Sequence, residues 1–299
     1  MNAKTFLKNL KDVPFIFEAD LSLYTTYRVG GAAEILALPE NEEQIYRLID
    51  FVLQYDLPFR ILGLGSNILV SDLGLNGVTC CLKHFKGIEI SGNTVTAKAG
   101  TALDEVVRAS IKKGLGGLEN LSGIPGSVGG AVFMNAGAFK AETFDKLVSF
   151  KILNADGEIK ELKKEDVKYE YRKVWGLENC IILSAAWALE KSDKVVLTAR
   201  RAEILHNRSA KQPLEYPSAG SVFKRPVGAY ASKLIDDCGL RGLTVGGAQV
   251  STKHAGFIIN YENATAQNIY DLIKQVQTIV KEKTGFTLEP EQIIWGKFE

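Results

Sequence analysis

The chain has 299 residues, 46% of them apolar, so it is long enough to bury a substantial core and to form two or three lobes. Its 36 lysine and arginine residues nearly balance 35 aspartate and glutamate residues. This balance removes the long-range attraction that a duplex-binding surface needs, and no basic run interleaved with aromatic residues stands out. We therefore expect no nucleic-acid partner.

The beginning of the chain and its cysteines bear on the compartment. The stretch "MNAKTFLKNLKDVPF" breaks up its apolar residues, and no apolar run reaches about 18 residues. We expect a cytoplasmic protein without a signal peptide or membrane span. Cys80, Cys81, Cys180 and Cys238 lack CxxC spacing. This pattern favours buried thiols in a reducing compartment over metal ligands, and no metal site is expected.

Helix-like and strand-like segments alternate along most of the chain, which predicts a mixed α/β or α+β fold. The first helix is predicted between Glu42 and Tyr55, and the strand "FRIL" follows it. Its apolar stripe consists of Ile45, Leu48, Ile49, Val52 and Leu53. A second predicted helix ends at Gly114, and its stripe consists of Leu103, Val106, Val107 and Ile111.

The later elements follow from turn and capping signals. Residues 148–162 read as two strands joined by an Asp156-Gly157 turn. "AYASKLIDDCG" predicts a short helix, "GFIIN" a strand, and Thr265 the N-cap of a last long helix. From changes in composition we predict one lobe at residues 1–75, a second at 76–195, and a substrate domain with a C-terminal catalytic segment at 196–299.

Two glycine-rich turns are candidates for a phosphate site. In "ILGLGSNILVSD", residues 61–72, backbone N–H groups near Gly63, Gly65, Ser66 and Asn67 could converge on an anion, although a simple tight turn is the favoured reading of this stretch alone. The stretch is neither a Rossmann nor a Walker A motif. A second stretch, "LSGIPGSVGGAVFMNAG" at 121–137, adds glycines, Pro125 and hydroxyls, and together the two loops indicate a nucleotide held between lobes.

Seven segments occur in the order typical of the UDP-N-acetylenolpyruvoylglucosamine reductase family, which the chain resembles over nearly its whole length. The segments are "YTTYRVGG", "LGLGSNILVSD", "GIPGSVGGAVFMNAG", "YRKV", "SAGSVFK", "GGAQVSTKHAGFIIN" and "LEPE". The chain resembles the shorter subtype, because residues 175–218 leave no room for the tyrosine-bearing insertion.

The resemblance implies a two-lobed FAD-binding domain of the vanillyl-alcohol oxidase type and a C-terminal α+β substrate domain. It implies FAD as cofactor, NADPH as co-substrate, and reduction of the UDP-linked enolpyruvyl ether to UDP-N-acetylmuramate for peptidoglycan. A UDP-sugar is then the partner, and we expect a monomer or weak oligomer. Carried over by motif, the flavin contacts are Gly63, Gly65, Ser66, Asn67, Ser122, Pro125, Gly126, Ser127, Gly130 and Ala131.

The resemblance also assigns three catalytic residues. Taken alone, Arg172 reads as a surface ion pair, Glu291 as a solvated carboxylate and Ser221 as a turn residue. The resemblance implies instead that Arg172 and Glu291 hold an enolate and that Ser221 donates a proton, a task that Lys224 could assist. Val174 stands where the family commonly has serine.

The same resemblance implies substrate contacts from Lys211, Lys224, Arg225 and His254, with Arg225 replacing the family's usual asparagine. Two alternatives stay open at this stage. One is a flavin oxidase or dehydrogenase of the same superfamily with another substrate, and the other is a nucleotide-binding protein without catalysis.

Overall fold

The computed structural model describes residue 10 and residues 12–299. Most of the N-terminal stretch that bears on a signal peptide lies outside the described residues. Helices and strands alternate along the described chain, as the sequence predicts. The helices are α1 (Glu42–Gln54), α2 (Leu103–Lys112), α3 (Val128–Phe133), α4 (Lys194–Lys211), α5 (Ala231–Asp237) and α6 (Ala266–Thr284).

The strands are mostly short. They are β1 (Phe15–Asp20), β2 (Ala32–Ala37), β3 (Phe59–Leu62), β4 (Ile68–Val70), β5 (Leu75–Cys81), β6 (Ile88–Ser91), β7 (Thr94–Lys98), β8 (Leu115–Gly116), β9 (Gly137–Ala138), β10 (Ala141–Glu142), β11 (Leu147–Leu153), β12 (Ile159–Lys163), β13 (Tyr169–Glu170), β14 (Lys173–Val174), β15 (Ile181–Ala188), β16 (Glu190–Lys191), β17 (Thr244–Val245), β18 (Ala248–Val250), β19 (Ile258–Asn260) and β20 (Ile293–Trp295).

Local capping explains where two of the predicted helices begin. Asn41 caps α1, since its side chain accepts a hydrogen bond from the Gln44 N–H at 2.9 Å. Thr265 and Asn268 form a reciprocal capping box at the start of α6, with bonds of 3.1 and 3.2 Å. The predicted stripe of α1 is wrong at one position: Leu53 is 56% exposed, and Phe51 is buried instead.

The chain divides into two compact units, each assembled from separate stretches. The first contains the described residues up to Phe17, Ile35–Leu64 and Gly77–Leu205, and the second contains Glu18–Glu34, Gly65–Asn76 and His206–Glu299. The predicted boundary between residues 195 and 196 lies near the beginning of α4. The predicted division into residues 1–75, 76–195 and 196–299 stays a prediction.

The first unit is built around a five-stranded antiparallel sheet with the order β12-β11-β15-β7-β6. Gly157, with φ of 77°, lies in the predicted turn between β11 and β12. Residues 59–62 of β3 and 78–81 of β5 form a parallel pair within the same unit. The core includes fully buried Phe85, Phe144, Phe150 and Trp187. Helix α3 packs on β15 and thereby fixes the loop that precedes it.

The second unit contains a three-stranded antiparallel sheet, β17-β18-β19, packed on α6. Its core is formed by the apolar side of α6, including Ile269, Leu272 and Val276. Strand β20 near the C-terminus pairs in parallel with β4, so that Ile293 faces Ile68. This long-range pairing brings the "LEPE" segment next to the second half of the first glycine turn.

All four cysteines are free thiols; Cys80, Cys81 and Cys238 are buried and Cys180 is half-buried. Burial raises the pKa of the Cys80 and Cys81 thiols, which keeps both protonated near neutral pH. No helix within the described part of the chain has the length and apolar character to cross a membrane.

Candidate active site

In the first unit, the predicted flavin loop at residues 122–131 is held by main-chain bonds to the segment before α2. Val128 N–H donates to the Thr101 carbonyl at 2.8 Å, and Leu103 N–H donates to the Gly126 carbonyl at 2.9 Å. Ser127 caps α3, since its Oγ accepts the Gly130 N–H at 3.2 Å. The loop is therefore rigid in a segment that its glycines alone would leave flexible.

Exposure separates the loop residues into two groups. Pro125 and Gly130 are exposed and Gly126 is half-buried, so nearly bare backbone faces outward. Ser122, Ser127 and Ala131 are buried, and the Ser122 hydroxyl donates to the Glu119 carbonyl at 2.6 Å. Backbone that is exposed, fixed and unobstructed by side chains suits a bulky phosphate-bearing ligand.

An ion pair that sequence reasoning missed supports this loop. The Asp104 carboxylate accepts the Gly123 N–H at 2.8 Å and binds the Arg201 guanidinium with two bonds of 2.7 and 2.8 Å. Both side chains are largely shielded, with 26% and 17% exposure, which makes this bidentate pair stronger than an exposed one. Asp104 lies in the first turn of α2, and only its position in space reveals its role.

Arg172 lies in the tight turn between β13 and β14 with φ of 58°, a left-handed conformation unusual for a residue with a side chain. Its Nη2 donates to the Gly137 carbonyl at 2.8 Å and its Nη1 to the Asn135 carbonyl at 3.4 Å. The guanidinium also stacks over the Tyr171 ring, 4.8 Å from its centroid. Val174, the departure from the family pattern, is buried in the core.

In the second unit, Ser221 and Glu291 lie on adjacent extended segments. Glu291 N–H donates to the Val222 carbonyl at 2.8 Å, and Lys224 N–H donates to the Glu289 carbonyl at 2.9 Å. On the other side, Val222 N–H donates to the Gly256 carbonyl at 3.0 Å. Gly220 precedes the serine with φ of 75°. Ser221 is exposed and Glu291 is half-buried.

Two buried polar residues that the sequence did not reveal hold these segments together. The Gln292 side chain donates to the Ala219 carbonyl at 3.1 Å and accepts from the Tyr27 hydroxyl at 3.1 Å. Burial raises the pKa of Tyr27, so its hydroxyl remains a donor. Tyr27 and Gln292 are 265 positions apart, and no local pattern signals their contact.

The first glycine turn falls partly in each unit. In the first unit, a β-carbon at Gly63 would lie 2.3 Å from Ser127 Oγ. In the second, Gly65 has φ of 64°, and a β-carbon there would lie 2.1 Å from the Tyr24 carbonyl oxygen. Ser66 is half-buried. Asn67 contacts the "LEPE" segment, because its side chain donates to the Glu291 carbonyl at 3.1 Å.

The four predicted substrate residues have different surroundings within the second unit. Lys211 ends α4 and is exposed. The Lys224 ammonium is paired with the Glu289 carboxylate. Arg225 stacks on Tyr230, 4.8 Å from the ring centroid. His254 Nδ1 accepts the Gly256 N–H at 3.1 Å, and the carbonyl of the same glycine accepts the Val222 N–H.

Comparison with known proteins decides the family. The family model for the C-terminal domain of UDP-N-acetylenolpyruvoylglucosamine reductase matches residues 212–295, and an FAD-binding domain model matches residues 33–163. The UDP-N-acetylenolpyruvoylglucosamine reductase from Enterococcus faecalis is 42% identical to this chain over 298 residues. The match covers 99% of each chain. The chain belongs to the UDP-N-acetylenolpyruvoylglucosamine reductase family. It is an FAD-dependent oxidoreductase with a mixed α/β fold, as predicted.

Further relatives agree with this assignment. The UDP-N-acetylenolpyruvoylglucosamine reductase from Pediococcus pentosaceus is 45% identical over 288 residues, covering 96% of each chain. The crystal structure of the Thermus caldophilus UDP-N-acetylenolpyruvylglucosamine reductase superposes with a TM-score of 0.82 at 35% identity, covering 95% of this chain and 99% of that one. The prediction of an FAD-binding domain joined to this family's C-terminal domain is therefore confirmed.

The first glycine turn of this reductase-family chain is predicted to contact FAD, and neighbouring atoms leave no room there for a β-carbon at Gly63 or Gly65. Gly63 supplies the sharpest test. We expect Gly63→Ala to lower FAD affinity at least about tenfold, since the new methyl group must displace the Ser127 hydroxyl that caps α3. The ratio of flavin absorbance to protein absorbance after gel filtration measures the loss.

Gly87→Ala is the matched control for this substitution. A β-carbon at Gly87 would lie 3.3 Å from a carbon near the end of the flexible Lys98 side chain, which can move away. We expect this control to retain FAD like the parent protein. Full flavin retention by Gly63→Ala would contradict the proposed role of the Gly63–Ser127 contact.

His254 provides a pH-dependent prediction for stability. Burial, followed by the charge of Arg241, lowers its pKa from the ordinary 6.5. The unfolded chain therefore takes up a proton at His254 more readily than the folded chain does. The contribution of neutral His254 to the free energy of unfolding is complete above about pH 6.5. It is lost as the pH falls through the lower pKa of His254 in the folded chain.

We expect His254→Gln to reduce the fall in melting temperature between about pH 7 and pH 5, because one acid-destabilising group is removed. Thermal unfolding at a series of pH values measures the effect. His84→Gln, at an exposed position, is the control and should retain the parent's pH dependence. Parallel curves for His254→Gln and the parent protein would refute the prediction.

Proposed function

We propose that this chain reduces UDP-N-acetylenolpyruvoylglucosamine to UDP-N-acetylmuramate with NADPH as reductant, in cytoplasmic synthesis of peptidoglycan precursors. The observation that supports this reaction best is the direct pairing of the Ser221 and Glu291 segments through the 2.8 Å bond from Glu291 N–H to the Val222 carbonyl. This pairing sets a hydroxyl and a carboxyl on neighbouring extended segments. When bound, FAD would supply the hydride.

The reaction needs groups that stabilise a developing enolate. Addition of hydride to the distal enolpyruvyl carbon leaves negative charge on the neighbouring carbon and on the carboxylate. Arg172 holds this charge with its planar guanidinium, which can bind a carboxylate through two bonds. Glu291 shares the contact in a protonated or hydrogen-bonded form, since two facing anions would repel each other.

The carbanion carbon then needs a proton, and Ser221 Oγ donates it. A serine hydroxyl is a weak acid in water, yet the enolate carbon is basic enough to accept its proton when the two atoms are held in place. The exposed position of Ser221 on a main chain held from both sides supports this role. Bulk water can return the proton to the serine afterwards.

Substrate recognition falls to the cationic and polar residues of the second unit. Lys211, Lys224 and Arg225 bind the diphosphate of the UDP-sugar, and His254 contacts the substrate through its ring. Gly65, Ser66 and Asn67, with the Ser122–Ala131 loop and Gly63, contact the FAD nucleotide. Their glycine backbones support this assignment, because neutral N–H donors can satisfy phosphates.

An anaerobic half-reaction experiment tests this function. The holoenzyme is reduced with NADPH without oxygen, the UDP-enolpyruvyl sugar is added, and flavin reoxidation is followed by absorbance. We expect the sugar to reoxidise the flavin at least as fast as the enzyme turns over in the steady state. No reoxidation by the sugar would overturn the assignment. Rapid reoxidation in a parallel sample that receives oxygen in place of the sugar would favour the flavin oxidase alternative.

A further inference from the structure

The Arg172 guanidinium rests on two main-chain carbonyls that belong to a different segment of the first unit. The acceptors are the carbonyls of Asn135 and Gly137, directly after α3. Gly137 is fixed by its pairing with Glu142 between β9 and β10. Arginine side chains are long and flexible, so this pair of acceptors restricts the orientation of the fork.

Asn135 contacts two structures: the guanidinium of Arg172 and the strand that leads into the Arg172 turn. Its main-chain carbonyl accepts from Arg172 Nη1 at 3.4 Å, and its side-chain Nδ2 donates to the Glu170 carbonyl at 3.2 Å. Glu170 lies in β13, the strand that leads into the turn carrying Arg172. Asn135 therefore holds both the hairpin from which the Arg172 side chain extends and the guanidinium at the end of that side chain.

The Asn135 amide is itself fully bonded and completely buried, with 0% exposure. Its Nδ2 also donates to Glu142 Oε2 at 2.7 Å, and its Oδ1 accepts the Phe144 N–H at 3.2 Å. Its φ of 41° lies in the left-handed region, which asparagine tolerates better than most residues. Two donors, one acceptor and this backbone conformation together favour asparagine over aspartate at this position.

We propose that Asn135 is a positioning residue for Arg172, which rests on the proposed function of Arg172 in binding the enolate. The bonds to Glu142 and Phe144 lock the Asn135 amide. That amide holds the hairpin of Arg172, and the Asn135 and Gly137 carbonyls orient its fork. Displacing a catalytic group by about 1 Å can slow a reaction about a hundredfold, so this support affects the rate without contacting substrate.

Two variants of Asn135 test the proposal. Asn135→Asp preserves the shape but replaces the Nδ2 donor with an oxygen that faces the Glu142 carboxylate and the Glu170 carbonyl. Asn135→Gly preserves the left-handed backbone and its carbonyl but removes the amide. We expect both to slow sugar-dependent flavin reoxidation about a hundredfold, with FAD content and the NADPH half-reaction near the parent's values.

A double-mutant cycle with Arg172→Lys separates positioning from a general structural effect. Lysine keeps the charge but lacks the fork, so the Asn135 substitutions should slow the sugar half-reaction much less in that background. Asn154→Asp, the same chemical change in the turn between β11 and β12, is the control and should react like the parent. Either Asn135 variant suffices if the other does not fold.

Each outcome distinguishes the two hypotheses. If Arg172→Lys itself leaves the sugar half-reaction unchanged, the proposed function of Arg172 fails. If Arg172→Lys slows it but the Asn135 variants do not, the positioning role fails and the proposed function stands. Equal slowing of both half-reactions, full additivity with Arg172→Lys, or loss of FAD by both variants would show a purely structural role and overturn the proposal.

Discussion

Replacing Ser221 with alanine should slow reoxidation of the reduced flavin by the UDP-enolpyruvyl sugar about a thousandfold, the scale of a lost, positioned acid. The substitution removes one oxygen atom from an exposed residue whose main chain is held by its neighbours, so the fold should persist. The NADPH half-reaction should stay near normal, because it precedes protonation of the sugar. Stopped-flow absorbance measures both half-reactions separately.

Ser218→Ala is the matched control in the same loop, since Ser218 is half-buried and precedes Gly220. We expect it to leave both half-reactions within about twofold of the parent. If Ser221→Ala slows both half-reactions equally, Ser221 is not the specific proton donor. If it slows neither, another group protonates the carbon, and the "SAGSVFK" segment is only a turn into an extended strand.

Features specified by neighbouring residues were predictable from the sequence. The Thr265 N-cap, the turn at Asp156-Gly157 and the stripe of α2 all follow from residues a few positions apart. Leu53 shows the limit of such reasoning. It continues the helical period of α1, yet it is exposed at the end of the helix, because burial depends on what packs against that turn.

The long-range pairings were not predictable from local patterns. Strand β20 pairs in parallel with β4, and Asn67 binds the main chain of Glu291 across 224 positions. Periodicity reports which face of an element is apolar but not which distant element covers it. In the sequence, these two segments are related only by the family resemblance, because "LGLGSN" and "LEPE" are both among the motifs that carry it.

The site shows the same division between motif residues and their supports. Arg172, Ser221 and Glu291 were identified through short motifs, whereas Asn135, Asp104 and Gln292 emerged from their bonds in space. Lys224 illustrates a further limit. Sequence reasoning offered it as a charge that promotes proton loss from Ser221, but its ammonium is paired with Glu289. The sequence shows that Lys224 lies three positions after Ser221, but it does not show which carboxylate the ammonium binds.

Glu291→Ala should slow the sugar half-reaction about a thousandfold, with FAD content and the NADPH half-reaction unchanged. The main-chain bonds of Glu291 to Val222 and Asn67 remain in the variant, so the segment keeps its place. Glu291→Gln should be impaired less, because the amide can still donate a hydrogen bond to the enolate. Stopped-flow reoxidation by the sugar compares the two variants.

The relative rates of the Glu291→Ala and Glu291→Gln variants test whether Glu291 acts as a hydrogen-bond donor. A Glu291 that donates a hydrogen bond to the enolate can be partly replaced by glutamine but not by alanine, which leaves the developing charge without that donor. Glu282→Gln, on the exposed side of α6, is the control for a lost carboxylate elsewhere in the second unit. Equal impairment of the alanine and glutamine variants would show that the carboxyl group itself is required, and parent-like rates for both would remove Glu291 from the mechanism.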